Sequence, residues 1–183
     1  MAERFPHFSG LEIYYIREVP TADIAEVTDD LAQDFMGVGL HRETFRVAAG
    51  GIGVTEAAVL FLVATAASGF LTELGKDTYR TTRQALWRLY RKLRRFDTES
   101  GRFEPLSFAT GKSGAGIYFI FGENLMKEEF LAALTAMAKA AQDEADIPDY
   151  EDIVFPWWVE FHFDTETRAW KRTHKEIGGA VHE

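Results

Sequence analysis

A run of sixteen residues without a charge constrains this chain more than any other feature of its sequence. The run is Ala57–Thr72, and Glu56 and Glu73 close it at its two ends. As an α-helix it would span roughly 24 Å at about 1.5 Å per residue, and a helix that is apolar all round has to be buried. Its many small residues permit close backbone approach. We therefore predict a helix over Val54–Leu74 that is buried within the domain or between two copies of the chain.

A second interpretation places the same run in a membrane. The positively charged segment Arg80–Arg95 follows it, and positive charge beside an apolar run is typical of a cytoplasmic membrane boundary. Ala57–Thr72 would then be inserted, and Arg80–Arg95 would lie on the anionic lipid of an inner membrane. A bilayer core needs about 20 residues, so the short run and its bounding acids favour the buried helix and a cytoplasmic protein.

The segment Arg80–Arg95 concentrates positive charge in an acidic protein. Seven of its sixteen residues are Arg or Lys and none is acidic, whereas the chain of 183 residues has a net charge of −9. A helical projection separates an apolar stripe from the cations and predicts an amphipathic helix. The stripe consists of Tyr79, Thr82, Leu86, Leu89, Tyr90 and Leu93. Outside it lie Arg80, Arg83, Arg88, Arg91 and Arg95, with Trp87 at the boundary.

Three kinds of interaction partner are possible for these cations. The first is acid in the same chain, either on the preceding helix (Asp23–Asp34) or in the linker Asp143–Asp152. The second is an acidic partner protein or another copy of the chain. The third is an anionic lipid or nucleic acid, although a pI near 5.1 disfavours a general nucleic-acid binder. The excess of Arg over Lys suits bidentate pairing with carboxylate or phosphate.

Periodicity and turn signals predict the remaining elements. We expect strands at Leu11–Val19 and Leu40–Ala49, helices at Thr21–Met36 and Leu125–Asp143, a hairpin of "LSFAT" and "GIYFIFG", and a last hairpin that turns at Asp164–Thr167. Thr21 is expected to cap its helix. The predicted order is β-α-β-α-α-β-β-α-β-β, an α+β fold. Residues 1–147 would form one domain, and residues 148–183 an acidic linker and a Trp-rich hairpin packed on it.

The signatures of catalysis are weak. "GKSGAG" (Gly111–Gly116) lacks the first glycine of a phosphate-binding loop and precedes a strand pattern rather than a helix. Glu160, His162 and Asp164 share one strand face, and such a row could bind a metal or transfer protons. The simplest register places Lys171 opposite Glu160, which favours a solvated strand face instead. The chain has no Cys, and therefore no thiol nucleophile or disulfide. We predict no cofactor.

Two adjacent tryptophans, Trp157 and Trp158, begin the last hairpin. Neighbouring residues of a strand point to opposite faces of its sheet, so one indole can join the core while the other faces solvent or a partner. Aromatic side chains are enriched at interfaces. We therefore count Trp157 and Trp158 with the arginine face as candidate partner-binding residues.

Several of these segments together resemble a known family. They are "LEIYYIREV" with its helix, "GGIGVTEAAVLFLVATAASGFL" running into the Arg-rich helix, the "LSFAT…GIYFIFG" hairpin and "EEFLAALTAM". Through Lys139 this order resembles the small effector-associated accessory domains of bacterial conflict systems. The basic helix is longer than in that pattern, and the C-terminal hairpin lies outside it. The resemblance implies a non-enzymatic adaptor in an immune or signalling assembly.

These observations favour a non-catalytic interaction module that self-associates or docks onto a larger assembly. Its partner-binding residues would be Arg80, Arg83, Trp87, Arg88, Arg91, Arg95, Trp157 and Trp158. A membrane-associated protein that inserts Ala57–Thr72 is the first alternative. A small metal-dependent or acid–base enzyme that uses Glu160, His162 and Asp164 is the second. The N-terminal "MAERFPHFSG" is charged where a signal peptide needs an apolar run, which argues against secretion by that route.

Overall fold

The structure, a computed structural model, describes separate stretches of the chain. These are residues 11–15, 18–32, 35, 37–42, 55–62, 80–95, 103–112, 115–122, 124–143, 157–177 and 180–182. In chain order the elements in these stretches are β1 (Leu11–Tyr15), α1 (Thr21–Leu31), β2 (Val38–Arg42), β3 (Thr55–Leu62), α2 (Arg80–Leu93), β4 (Phe103–Lys112), β5 (Ala115–Phe121), α3 (Lys127–Asp143), β6 (Trp157–Asp164), β7 (Ala169–Ile177) and β8 (Ala180–His182).

The strands form one mixed sheet in the order β2-β1-β3-β4-β5-β6-β7-β8. Three neighbouring pairs are parallel, namely β1 with β2, β3 with β4 and β5 with β6, and the other pairs are antiparallel. The two predicted hairpins are confirmed as β4–β5 and β6–β7, although the latter turns at Thr165–Arg168, one residue later than the predicted Asp164–Thr167. A mixed sheet with helices from three separate parts of the chain confirms the α+β class.

The predicted apolar helix over Val54–Leu74 is wrong at Thr55–Leu62, where the chain forms the interior strand β3. It pairs antiparallel with β1 and parallel with β4. A strand that is buried on both faces has a continuous apolar sequence, without the alternation of apolar and polar residues that marks a half-exposed strand. Both faces are covered at the neighbouring β4, since Leu106, Ser107 and Phe108 are successive and fully buried. Residues 63–74 of the predicted helix lie outside the described residues.

Because residues 57–62 belong to this strand, the alternative prediction that Ala57–Thr72 inserts into a membrane as a helix is wrong for these residues. Among the helices that the structure describes, none combines the length and the apolarity that a bilayer crossing requires. The observed order therefore differs from the predicted one in having a strand before α2 and a short additional strand, β8, at the end.

The three helices pack against the sheet, and α2 contacts both α1 and α3. The sheet contributes buried side chains such as Ile13, Phe108, Phe119 and Phe161, and the last three are register neighbours across β4, β5 and β6. The predicted stripe of α2 is confirmed over Thr82–Leu93, and residue 79 lies outside the described residues. The buried residues of the helices include Ile24, Val27, Leu31, Leu86, Leu89, Tyr90, Leu93, Phe130, Leu134 and Met137. One continuous core therefore fixes the position of α2.

The start of α1 differs in detail from the prediction. Pro20 occupies the N-cap position without a side-chain cap, and Thr21 is the first helical residue. The Thr21 hydroxyl instead accepts a hydrogen bond of 3.1 Å from the Tyr15 hydroxyl. A proline needs no partner for a backbone N–H, and its extended backbone directs the chain from β1 into α1.

Tyr90 of α2 ties the helix to the connection between β5 and α3. Its fully buried side chain donates a hydrogen bond to the Gly122 carbonyl (2.5 Å) and accepts one from the Leu125 backbone N–H (2.9 Å). The ring also packs against Phe130, with ring centroids 4.9 Å apart. One hydroxyl thus satisfies two backbone groups where the chain leaves the sheet.

We expect Tyr90→Phe to lower the free energy of unfolding by about 1–3 kcal/mol, because it leaves the buried Leu125 N–H without its partner. Urea denaturation followed by circular dichroism measures this change. Tyr15→Phe is the matched control, since it removes one bond to the exposed Thr21 and should cost under about 1 kcal/mol. Equal costs for the two variants would contradict the role given to the Tyr90 hydroxyl.

Candidate functional site

The candidate site is built on α2, whose buried stripe leaves three other sectors of its surface. One flank faces α1, the opposite flank faces α3, and the outer face points away from both. Each cation of Arg80–Arg95 belongs to one of these sectors because the buried stripe prevents the helix from rotating. The sectors differ in how completely their charges are satisfied.

The α1 flank of α2 carries paired cations. Arg88 forms an ion pair with Asp30. Lys92 lies 3.2 Å from Asp23 (Nζ to Oδ1) and also pairs with Glu26. The pKa of Lys92 is raised, chiefly by the hydrogen bond to Glu26, with burial opposing the rise and Asp23 adding to it. Pairing with the acidic helix, the first of the three interpretations, thus accounts for two of the seven cations.

The α3 flank satisfies two further arginines without a carboxylate. Arg83 donates to the Leu131 carbonyl (3.3 Å) and to the Thr135 hydroxyl (3.2 Å). Arg94 donates to the Leu125 carbonyl at 3.5 Å. Its guanidinium carbon lies 6.0 Å from the centroid of the Trp87 ring, within the range of a cation–π contact. Backbone carbonyls and an aromatic ring therefore hold this flank in place.

Trp87 is a packing residue at the edge of the core. Its ring stacks on Tyr90 and is tilted against Phe130, with ring centroids 5.5 Å apart in both pairs. The half-buried indole thus covers the junction between α2 and α3 and positions Arg94. The sequence placed Trp87 at the boundary of the stripe, and the structure puts it there.

The outer face of α2 is exposed and unpaired. Its exposed side chains are four or seven positions apart, which is about one or two helical turns, so that they form one ridge along the helix. They are Arg80, Gln84 and Arg91 of α2, together with Arg95, which lies two residues past the end of the helix in a turn where its backbone N–H donates to the Lys92 carbonyl (3.2 Å). None of these four side chains has a hydrogen bond or an ion pair with the residues that the structure describes. The ridge extends over roughly 22 Å, taken as 1.5 Å for each of fifteen steps.

A cleft of about 220 Å³ lies between this outer face and α1. It is lined by Glu26, Arg88, Arg91, Lys92 and Arg95. Arg88 and Lys92 form its paired side, and Arg91 and Arg95 its open side. We call this feature the basic cleft. An anion that enters it would meet two guanidinium groups that have no hydrogen bond or ion pair with the described residues.

The basic cleft contains both predicted and unpredicted residues. Sequence reasoning named Arg88, Arg91 and Arg95, and missed Lys92 and Glu26. The helical projection could have found Lys92, since it lies one turn after Arg88 on the same flank of α2. Of the other predicted residues, Arg80 is on the outer face, and Arg83 and Trp87 contact α3. Trp157 and Trp158 open β6, and the contact role predicted for their side chains lies outside the described part of the structure.

The predicted row Glu160, His162 and Asp164 does not form a metal site. Within the described residues, no three His, Asp or Glu side chains come close enough together to hold a metal ion. The predicted register is also wrong. The hairpin turns at Thr165–Arg168, one residue later than predicted, which places His162 opposite Lys171. A shift between Glu160 and Phe161 then places Glu160 opposite His174. Val159 and Phe161 are buried on the other face, as predicted for the core side.

Asp164 has a structural role at the end of β6. Its carboxylate accepts hydrogen bonds from the backbone N–H groups of Glu166 (2.8 Å) and Thr167 (3.2 Å), and it forms an ion pair with Lys171. The bond to Lys171 contributes most to lowering the pKa of Asp164 to about 2, and the backbone N–H groups add to it. The carboxylate therefore holds the turn of the β6–β7 hairpin.

A further polar contact, absent from the sequence analysis, lies at the β1–β2 edge of the sheet. Glu12 Oε2 and His41 Nε2 are 2.5 Å apart, and the His41 ring stacks on Tyr14 with ring centroids 4.5 Å apart. Gly39 makes room for this contact, because a Cβ there would lie 1.8 Å from Glu12 Oε2. No sequence pattern marks a close approach of this kind between two parallel strands.

No family model, curated protein or solved structure matches this chain. The functional interpretation therefore depends on the site itself.

We expect the contribution of Asp164 to stability to depend on pH. Its pKa is lowered in the folded protein, from 3.8 to about 2, so the contribution is present above the unfolded pKa and is lost as the pH falls through the folded one. The free energy of unfolding of the wild type should exceed that of Asp164→Asn at pH about 6, and the difference should shrink towards pH about 2. Urea unfolding at a series of pH values measures it. A difference that does not change with pH would contradict this account.

Gly39→Ala should displace Glu12 from His41, whereas Gly37→Ala is a matched control because a Cβ at residue 37 meets nothing within 4 Å. Replacing Gly by Ala at a compatible position stabilises a protein by about 0.4–1 kcal/mol through the unfolded state. We expect this gain for Gly37→Ala only. Gly39→Ala should be less stable than the control by about 1 kcal/mol or less, the contribution of an exposed ion pair. Urea denaturation compares the two, and equal gains would show that Glu12 needs no space at Gly39.

Proposed function

We propose that this protein is a non-catalytic interaction module that docks onto a larger protein assembly, or onto a second copy of itself, through the outer face of α2. The observation that carries the proposal is the pair Arg91 and Arg95. Both are exposed at the C-terminal end of α2, whereas the other cations of Arg80–Arg95, Arg80 apart, are held by α1, by α3, or by the Leu125 carbonyl and the Trp87 ring. Exposed arginines on a rigid element suit the recognition of a partner.

The electrostatic repulsion between the two unpaired arginines supports the proposal. Arg91 and Arg95 are four positions apart at the C-terminal end of α2, and like charges at this spacing repel each other, by about 0.2–0.5 kcal/mol within a continuous helix. The helix has no acidic residue that would relieve the repulsion. An acidic group from outside the described structure would both relieve it and form charge-assisted hydrogen bonds.

The rigidity of α2 also suits docking. Six of its fourteen residues are buried, namely Thr82, Ala85, Leu86, Leu89, Tyr90 and Leu93. A surface that is already ordered loses little conformational entropy when it binds a partner, which favours affinity. The exposed side chains of the outer face are then the groups of this surface that must be immobilised on binding.

The resemblance to effector-associated accessory domains supports an adaptor role in bacterial defence or signalling, in the cytoplasm. The parts of that resemblance on which the proposal relies are the first strand, the basic helix and the β4–β5 hairpin. The apolar helix of the pattern is replaced by β3 at Thr55–Leu62. For that reason we do not propose the alternative of a membrane-inserted helix.

Site-specific photocrosslinking tests the proposed function in cells. A photoreactive residue at Gln84, in the middle of the outer face, should yield discrete protein adducts that mass spectrometry identifies as the same partner in every repeat. Thr165, an exposed residue of the β6–β7 turn, is the control position and should not yield them. An adduct of twice the mass would identify a second copy as the partner.

The double variant Arg91→Glu/Arg95→Glu, combined with the photoreactive residue at Gln84, should abolish these adducts, because it reverses the charge of the open side. Circular dichroism verifies that the variant is folded, which we expect because both side chains are exposed. The proposal is wrong if Gln84 yields no protein adduct, or yields the same adducts as Thr165.

A further inference from the structure

The basic cleft is small and mostly fixed before any ligand enters. Its volume of about 220 Å³ is below the roughly 300–1,000 Å³ of pockets for drug-sized ligands. It suits the ends of one or two side chains better than a nucleotide or a cofactor. Asp30 holds Arg88, while Asp23 and Glu26 hold Lys92, so that these two cations form a preorganised wall.

The distance between the two arginines on the open side of the cleft determines how far apart the acidic groups of a ligand must lie. Arg91 lies in the last turn of α2, and Arg95 lies four positions later, just past the end of the helix, a spacing of about one helical turn or roughly 6 Å. Two acidic side chains one turn apart on a partner helix have the same spacing. Each guanidinium offers a planar pair of N–H groups that matches a carboxylate, so both arginines can bind bidentately.

The local charge indicates that the acid comes from another protein rather than from a second α1–α2 surface. Four acids of α1 (Asp23, Glu26, Asp29 and Asp30) lie beside the seven cations of Arg80–Arg95, which leaves three positive charges in excess. A second copy that presented the same surface would bring an equal excess. Like charges would then meet across the symmetric contact and oppose it.

The acids that remain near the cleft disfavour a nucleic acid. Glu26 is part of the cleft wall, and Asp29 is exposed on the neighbouring α1. A polymer with one charge for every phosphate gains affinity from many Lys and Arg contacts, and next to this cleft it would meet carboxylates instead. A partner with two discrete carboxylates can place both on Arg91 and Arg95 and avoid α1.

From these observations we infer that the basic cleft binds an acidic segment of a partner protein, with two carboxylates about one helical turn apart paired to Arg91 and Arg95. Arg88 and Lys92 position this pair by forming the wall behind it. The inference rests on the proposed function, and adds to it the chemistry of the partner and the residues that recognise it.

Fluorescence anisotropy with the full chain tests the inference. The probe is a labelled, alanine-rich helical peptide with two Glu residues four positions apart, and its control is the same peptide with Gln at both positions. We expect the Glu peptide to bind at least about tenfold more tightly, since two charge-assisted contacts are lost in the control. A labelled single-stranded oligonucleotide of thymidine serves as the phosphate probe.

Matched variants locate the binding site. Arg91→Gln/Arg95→Gln should weaken binding of the Glu peptide by about tenfold or more. Arg80→Gln removes a cation from the same outer face but outside the cleft, and should change the affinity by less than about twofold. An equal effect of both changes would mean that the peptide senses only the general charge of α2, and would overturn the inference.

The remaining outcomes separate the inference from the proposed function. If the Glu peptide binds no better than the Gln peptide while Gln84 still crosslinks to a protein, the inference fails and the docking function stands. If the oligonucleotide binds more tightly than the Glu peptide and loses binding in Arg91→Gln/Arg95→Gln, the ligand is a phosphate polymer and the inference is overturned. If light scattering shows a dimer that only this variant dissociates, the occupant is a second copy, which overturns it as well.

Discussion

The burial of one face of α2 between the sheet and its two neighbouring helices is the constraint on which the rest of the structure depends. Leu89, Tyr90 and Leu93 are fully buried in the same cluster as the buried residues of β1, β4 and β5. Burying a side chain of this size stabilises a protein by about 1.5–3 kcal/mol. The apolar stripe therefore outweighs the repulsion among the cations of the helix, which amounts to a few tenths of a kcal/mol for each close pair.

Because the stripe fixes the rotation of α2, it also determines the role of each cation. The flank that faces α1 meets carboxylates, and the flank that faces α3 meets carbonyl oxygens and the Trp87 ring. The outer face meets no partner within the described structure. The contrast between paired and unpaired arginines on one helix thus follows from how the helix packs. It is also the feature that distinguishes a surface available for docking from one used for internal stability.

Much of this arrangement could be predicted from the sequence, because a helix with one buried face has a strong period. The stripe of α2, the helix α3 and the two hairpins follow from spacing and turn residues. The sequence also predicted that an acid of α1 could pair with the cations of α2, because α1 is the acidic helix. The identity of the acid that pairs with Arg88, Asp30, depends on the packing of α1 against α2, which no local pattern contains.

The failures have physical causes that the sequence does not reveal. A short apolar run fits a buried helix and an interior strand equally well, and only the pairing of Thr55–Leu62 with β1 and β4 decides between them. The hairpin turns at Thr165–Arg168, one residue later than predicted, so that Lys171 lies opposite His162 and reaches Asp164 rather than Glu160. The close approach of Glu12 and Gly39 depends on which strands are neighbours in the sheet.

The most direct test of the central claim is the solvent exchange of the arginine guanidinium Nη–H protons, measured by NMR on the free protein and with the Glu peptide. The claim is that Arg88 is held within the protein, whereas Arg91 and Arg95 are free until a partner binds. It predicts slow exchange for Arg88 in both states, and fast exchange for Arg91 and Arg95 that slows when the peptide is added. Slow exchange of Arg91 and Arg95 in the free monomer would contradict it, because the chain's own acids would then already occupy the basic cleft.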